Sequence, residues 1–118
     1  MQCILLIYTN EDAYRTMTQA QASEMTASYM AYAEAMSAAG VNVGGQRLRP
    51  VSTAATVRTT GGKTQVLDGP YADTKEQLGG YFIIDVPDMD AALSWAQRCP
   101  GAATGVVEVR PIWPMSEY

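Results

Sequence analysis

Two β-prone segments of this chain are apolar on both of their faces, and that property narrows the folds open to it more than any other. In residues 2–8 both alternating sets, Cys3/Leu5/Ile7 and Ile4/Leu6/Tyr8, are apolar, and Gly80-Tyr81-Phe82-Ile83-Ile84-Asp85-Val86 reads the same way. Side chains alternate sides along a strand, so a sheet with one wet face leaves a polar set in each strand. Neither segment has one. Any sheet built on them needs cover on both sides.

The rest of the chain supplies cover for one side. Thr18 with Gln21 has the form of a capping box, and Ala22, Met25, Tyr29, Tyr32 and Met36 then recur at three- and four-residue spacing until Gly40 stops the run. This pattern predicts a long amphipathic helix. Asp88 caps a second helix whose buried side is Met89, Ala92, Leu93 and Ala96, with Pro100-Gly101 as terminator. A further strand begins at Val41-Asn42-Val43, meets Gly44-Gly45, where the backbone can bulge, and runs toward Leu48 and Pro50; the last strand spans Gly105 to Ile112, with Glu108 and Arg110 opposite Val107 and Val109. Ala55–Thr60 and Lys63–Asp68 flank Gly61-Gly62, a strong hairpin signal that would pair Val57 with Val66, Arg58 with Gln65 and Asp68 with Ala55. The order strand, helix, strand, hairpin, strand, helix, strand predicts an α+β fold with a ferredoxin-like sheet and an inserted β-hairpin. Two helices cover one sheet face, so the other face is expected against a second copy, as a C2 homodimer.

At 118 residues, 47% apolar and 17% charged, the chain fits one folded domain over residues 1–118. Eight basic and twelve acidic residues give a net charge of −4, with no Lys/Arg run to neutralise a phosphate backbone, so nucleic acid is not an expected partner. The first eight residues are too short for a membrane span and lack the basic start and cleavage site of a signal peptide; no membrane partner and a cytoplasmic location are expected. Cys3 and Cys99 lie far apart and outside any metal-ligand spacing, which predicts buried free thiols. The chain contains no histidine, so the commonest general acid/base and metal ligand are missing, and Ser52 and Ser94 have no imidazole to activate them. Neither a phosphate loop nor a dinucleotide fingerprint is present. No metal and no cofactor are expected.

The densest chemistry lies between Asp68 and Gly80. Asp68-Gly69-Pro70 predicts a tight turn in which Asp68 has two readings. It either staples the turn by accepting backbone N–H groups, or it is a carboxylate at the rim of an apolar pocket, able to act as a base or orient a ligand. Tyr71 would line such a pocket. Asp73, three residues before Glu76, is placed to cap a single helical turn ending at Gly79. Lys75 is either solvated or neutralises an anionic ligand, while Arg58 and Arg110, each beside apolar strand residues, are either ion-paired or free to take a carboxylate, with Glu108 as the local partner of Arg110. Tyr8 and Tyr81 place phenols between helix and sheet or between two sheets. The candidate set is therefore Asp68 as an acid/base, with Tyr71, Lys75, Arg58, Tyr8 and Tyr81 around a ligand.

Asp68-Gly69-Pro70-Tyr71, Asp73-Thr74-Lys75-Glu76 and Gly79-Gly80-Tyr81-Phe82 together resemble the Asp-Gly-Pro-Phe subgroup of the YCII-related proteins. The similarity extends through Leu5-Leu6-Ile7-Tyr8, Ala39-Gly40-Val41, the run from Ala55 to Arg58, Ala92-Leu93, Cys99-Pro100 and Val107-Glu108-Val109-Arg110-Pro111. The resemblance implies a dimeric α+β barrel of ferredoxin-like protomers. It also implies an active-site role for an aspartate at the position of Asp68, acting with a histidine that this chain lacks; one relative is a dehydrochlorinase. Members of the subgroup are often encoded beside extracytoplasmic-function sigma factors, which implies a regulatory or stress-linked role. Two functions follow as expectations: a small-molecule-binding or regulatory dimer, or a small-molecule enzyme using Asp68 for lyase- or isomerase-like proton transfer.

Overall fold

A computed structural model describes all 118 residues. Strand β1 (Gln2–Thr9) is followed by a short helix α1 (Glu11–Arg15), the long helix α2 (Gln19–Ala38) and strand β2 (Asn42–Arg47). A 3-10 turn at Val51–Thr53 leads into the hairpin β3 (Ala55–Thr60) and β4 (Lys63–Asp68). Strand β5 (Gln77–Asp85), helix α3 (Met89–Arg98), the single turn α4 (Gly101–Thr104), strand β6 (Val106–Pro111) and a final 3-10 turn at Met115–Glu117 complete the chain. Strands β2, β5, β1 and β6 lie in that order in one antiparallel sheet, and β3 and β4 form a sheet of their own. This is the ferredoxin-like arrangement with the hairpin inserted between its second and third strands.

The helix ends follow their cap chemistry. Thr18 accepts from Gln21 N at 3.1 Å while the Gln21 side chain accepts from Thr18 N at 3.0 Å, closing the capping box. At the other end Gly40, at φ +73°, lets Val41 N reach Met36 O and Gly40 N reach Ser37 O, both at 3.0 Å, which satisfies two otherwise orphaned carbonyls. Asp88 accepts from Ala91 N at 2.8 Å and starts α3.

The core lies between the sheet and these helices. Cys3, Leu5 and Ile7 of β1, Ile84 of β5, Tyr32 and Met36 of α2, and Ala92 and Ala96 of α3 are buried together. Tyr32 meets Phe82 edge-on at 5.5 Å and Trp95 at 6.3 Å, an arrangement that suits the ring quadrupoles. Its hydroxyl donates to Trp95 O at 2.7 Å, filling one of the carbonyls left open in the last turn of α3. Cys3 and Cys99 are buried free thiols, as expected. Burial pushes both thiols, and the Tyr29 and Tyr32 phenols, above their usual ionisation ranges.

Several expectations fail in detail. On α2 only Tyr32 and Met36 of the predicted stripe are buried, Met25 and Tyr29 are half-buried and Ala22 is exposed, because the N-terminal half of the helix is not covered by another element. Leu93 on α3 is exposed, whereas Ala92 and Ala96 are buried and Met89 and Trp95 pack half-buried against the core. The expected bulge in β2 falls at Val43, one residue before Gly44. No helical turn forms at Asp73–Gly79: Gln77 and Leu78 are already paired with Thr9 and Tyr8 of β1, which draws the chain into extended backbone.

The other sheet face carries no layer. The protomer measures 48 × 46 × 19 Å, the thickness of one sheet and one layer of helices. Its radius of gyration of 16.3 Å exceeds the roughly 13–14 Å of a compact chain of this length, as expected of so flat a shape.

Candidate functional site

The open face is read off the register. Residues directly opposite one another on antiparallel strands share a face, so Glu108, Leu6, Tyr81 and Gln46 form one row across β6, β1, β5 and β2. Arg110, Ile4, Ile83 and Gly44 form the next row. Beyond the first row, Val106 and Leu78 flank Tyr8, because a bulge at Gly79 shifts the β1–β5 register between Ile7 and Tyr8. The face is therefore an apolar strip of Ile4, Leu6, Tyr8, Leu78, Tyr81 and Ile83, bordered on β6 by charge. That charge is internally matched: Arg110 contacts Glu108 at 2.5 Å. Residues i and i+2 of a strand point the same way, which is why the sequence pattern already implied this pair.

The remaining candidates belong to the hairpin and the loop after it. The register is the expected one, with Val57 opposite Val66, Arg58 opposite Gln65 and Asp68 opposite Ala55. Gly61 and Gly62 sit at φ +59° and +78°, the two left-handed residues that a tight hairpin turn requires. Asp68 shares a face with Val57 and Val66, but that face is open: the two valines are 64% and 65% exposed. The turn after Asp68 is held without its carboxylate. Gly69 N donates to Ala54 O at 2.7 Å, and the Thr56 hydroxyl donates to Gly69 O at 2.8 Å. Asp68 is exposed, and no hydrogen bond or ion pair within the protomer occupies its side chain.

Arg58 lies 5.5 Å from the centre of the Tyr71 ring, a cation–π contact that joins two of the predicted residues. Tyr71 is otherwise exposed, and Lys75 is exposed as well. The root of the hairpin is fixed more firmly than its blade. The Glu11 carboxylate accepts from Val51 N at 3.0 Å, and the Gln77 side chain accepts from Glu11 N at 3.0 Å while donating to Thr74 O at 2.8 Å. Helix α1, which carries no obvious periodic signal, is thus the brace of the hairpin. Its sequence clue was the Asn10 cap, which accepts from Asp12 N at 2.9 Å.

The predicted residues consequently form two groups. Tyr8 and Tyr81 stand on the open sheet face, whereas Asp68, Arg58, Tyr71 and Lys75 stand on or after the hairpin. A surface depression of about 540 Å³ between α1 and α2, lined by Met17, Gln21, Glu24 and Met25 among others, contains none of the six. Gln46 carries no signal in the sequence as an open-face residue, because its placement beside Tyr81 depends on strand order. No helix is long and apolar enough to cross a membrane.

The sequence matches the YCII-related domain over residues 1–116. The chain belongs to the YCII-related family. An uncharacterized protein of Rhizobium meliloti (strain 1021) is 48% identical over 68 residues, a stretch covering 56% of this chain and 55% of that protein. The matched stretch thus spans about half the length of this YCII-related chain and of its relative.

Proposed function

We propose that this YCII-related protein works in the cytoplasm as a homodimer, closed by its open sheet faces and binding a small molecule at the interface. The observation that carries the reading is the apolar strip Ile4, Leu6, Tyr8, Leu78, Tyr81 and Ile83 on a face with no covering layer. Contiguous apolar surface left half-buried on an uncovered sheet face is characteristic of an interaction site. Tyr8 and Tyr81 frame the ligand from the face, with phenols that can each donate and accept. Asp68, Arg58, Tyr71 and Lys75 supply charge from the hairpin side. The role is that of a ligand-binding or regulatory module, and the unpaired buried thiols suit a reducing compartment.

Sedimentation at micromolar concentration tests the dimer. The wild-type chain should sediment at twice the protomer mass and Leu6→Asp at the protomer mass, with the helical circular dichroism of the variant retained. A wild-type monomer would end this reading.

A second reading, acid/base catalysis by Asp68 on a small molecule, is favoured by one observation: its carboxylate is not engaged within the protomer. Asp68→Asn should leave the melting temperature within about 1 °C, because the turn is held by Gly69 and Thr56. A fall of several degrees would identify Asp68 as a structural residue instead.

A further inference from the structure

Two segments of the protomer expose apolar side chains without cover: the β3–β4 hairpin and the residues after β6. In the hairpin, Val57 and Val66 form a cross-strand pair on one face, and Leu67 lies exposed on the other. In the C-terminal segment Trp113 is 70% and Met115 79% exposed. A two-stranded hairpin packed on nothing is marginally stable in water, so an arm of this composition calls for a surface to lie on. The segments also complement each other in charge. The hairpin Ala55–Asp68 contains Arg58 and Lys63 against one acid, Asp68 at its root, while residues 112–118 contain Glu117 and no base.

Their positions in the sheet limit how two copies can meet. The arm leaves the β2 edge at the end where β1 finishes, and the C-terminal segment leaves the β6 edge at the end where β1 begins. They occupy opposite corners. We propose that each arm clasps the C-terminal segment of a second copy, an arrangement that rests on the face-to-face dimer above and adds its symmetry. A two-fold axis in the sheet plane, perpendicular to the line joining the two corners, carries each arm onto the other copy's C-terminal segment. The same rotation sets the strands of the two sheets at near right angles, an established mode of sheet packing. An axis along or across the strands leaves the arms at the wrong corners. The remaining diagonal axis brings arm to arm, setting Arg58 and Lys63 against their own copies, which electrostatics disfavours. One two-fold operation forms the favoured contact twice. The clasp carries Asp68, Arg58 and Tyr71 to the other copy's β6 edge, so the hairpin group of candidate residues acts across the interface.

Cysteine cross-linking tests the clasp in the full chain. Variants Val66→Cys, Met115→Cys and the double variant are treated with a short bismaleimide and run on denaturing gels, with sedimentation and limited trypsin digestion of each. The opposite-corner placement forbids a cross-link within one chain. The double variant should give at least tenfold more covalent dimer than either single variant, and trypsin should cut slowly after Arg58 and Lys63. Covalent dimer from Val66→Cys alone means that arm meets arm, and overturns the clasp. A sedimenting dimer with no cross-link and rapid cleavage at Arg58 and Lys63 overturns the clasp while leaving the face-to-face dimer standing. A wild-type monomer removes both.

Discussion

The two faces of β1 have nearly the same chemistry and different surroundings. Cys3, Leu5 and Ile7 are sealed beneath the helices, while Ile4, Leu6 and Tyr8 are half-buried on the open side. Hydrophobicity therefore does not distinguish the faces, whereas cover does. Within the protomer, only the helix-side set has given up its full contact with water, so it alone contributes the several kcal/mol expected of tightly packed core residues. The open set keeps only its remaining exposed area, a smaller quantity, for association.

The largest expected effect separates Leu5 from Leu6. Leu5→Ala should destabilise the protomer by about 3 kcal/mol and lower the melting temperature by on the order of 10 °C, because Leu5 is fully buried and its loss leaves a cavity. Leu6→Ala should cost the protomer less than about 1 kcal/mol and act instead on the dimer dissociation constant, measured by sedimentation across a dilution series. Equal effects of the two substitutions on protomer stability would erase the distinction.

A smaller effect separates two tyrosines. Tyr32→Phe removes a 2.7 Å hydrogen bond to Trp95 O and should cost about 1 kcal/mol, read by urea denaturation. Tyr81→Phe removes a hydroxyl with no partner in the protomer and should leave stability there unchanged.

The mildest test is alkaline titration. Burial holds Cys3, Cys99, Tyr29 and Tyr32 in their neutral forms to higher pH than in the unfolded chain. Their contribution is complete below the ordinary thiol and phenol ranges, roughly pH 8.5 to 10, and is lost as pH rises through and beyond them, because the unfolded chain ionises first. Melting temperature should be level from pH 7 to about 8.5 and then fall. Tyr32→Phe should make the decline above pH 10 shallower.

Much of the scaffold was legible because local signals agreed with one another. The capping box at Thr18, the Schellman stop at Gly40, the Asp88 cap and the Gly61-Gly62 turn all occur where the residues placed them. Turn chemistry and period-2 patterning act over a few residues, so the sequence carries them directly. The failures came where a long-range partner decided the outcome. Asp73-Thr74-Lys75-Glu76 has the spacing of a capped turn, yet strand pairing of Gln77 and its anchorage to α1 kept the following backbone extended. Leu93 has helical periodicity with the core but no element facing it. The site was less legible than the scaffold. The pairing of Glu108 with Arg110 was evident from strand period, whereas the separation of Tyr8 and Tyr81 from the hairpin group depends on strand order and on where the hairpin points.

The Glu108–Arg110 contact has one more consequence. Any group near a two-fold axis confronts its own image, so an unmatched guanidinium at the rim of a self-associating surface would meet a second guanidinium. Pairing within the strand turns that charge into a dipole, and a dipole, unlike a charge, can lie favourably against its own two-fold image when the two lie side by side and antiparallel.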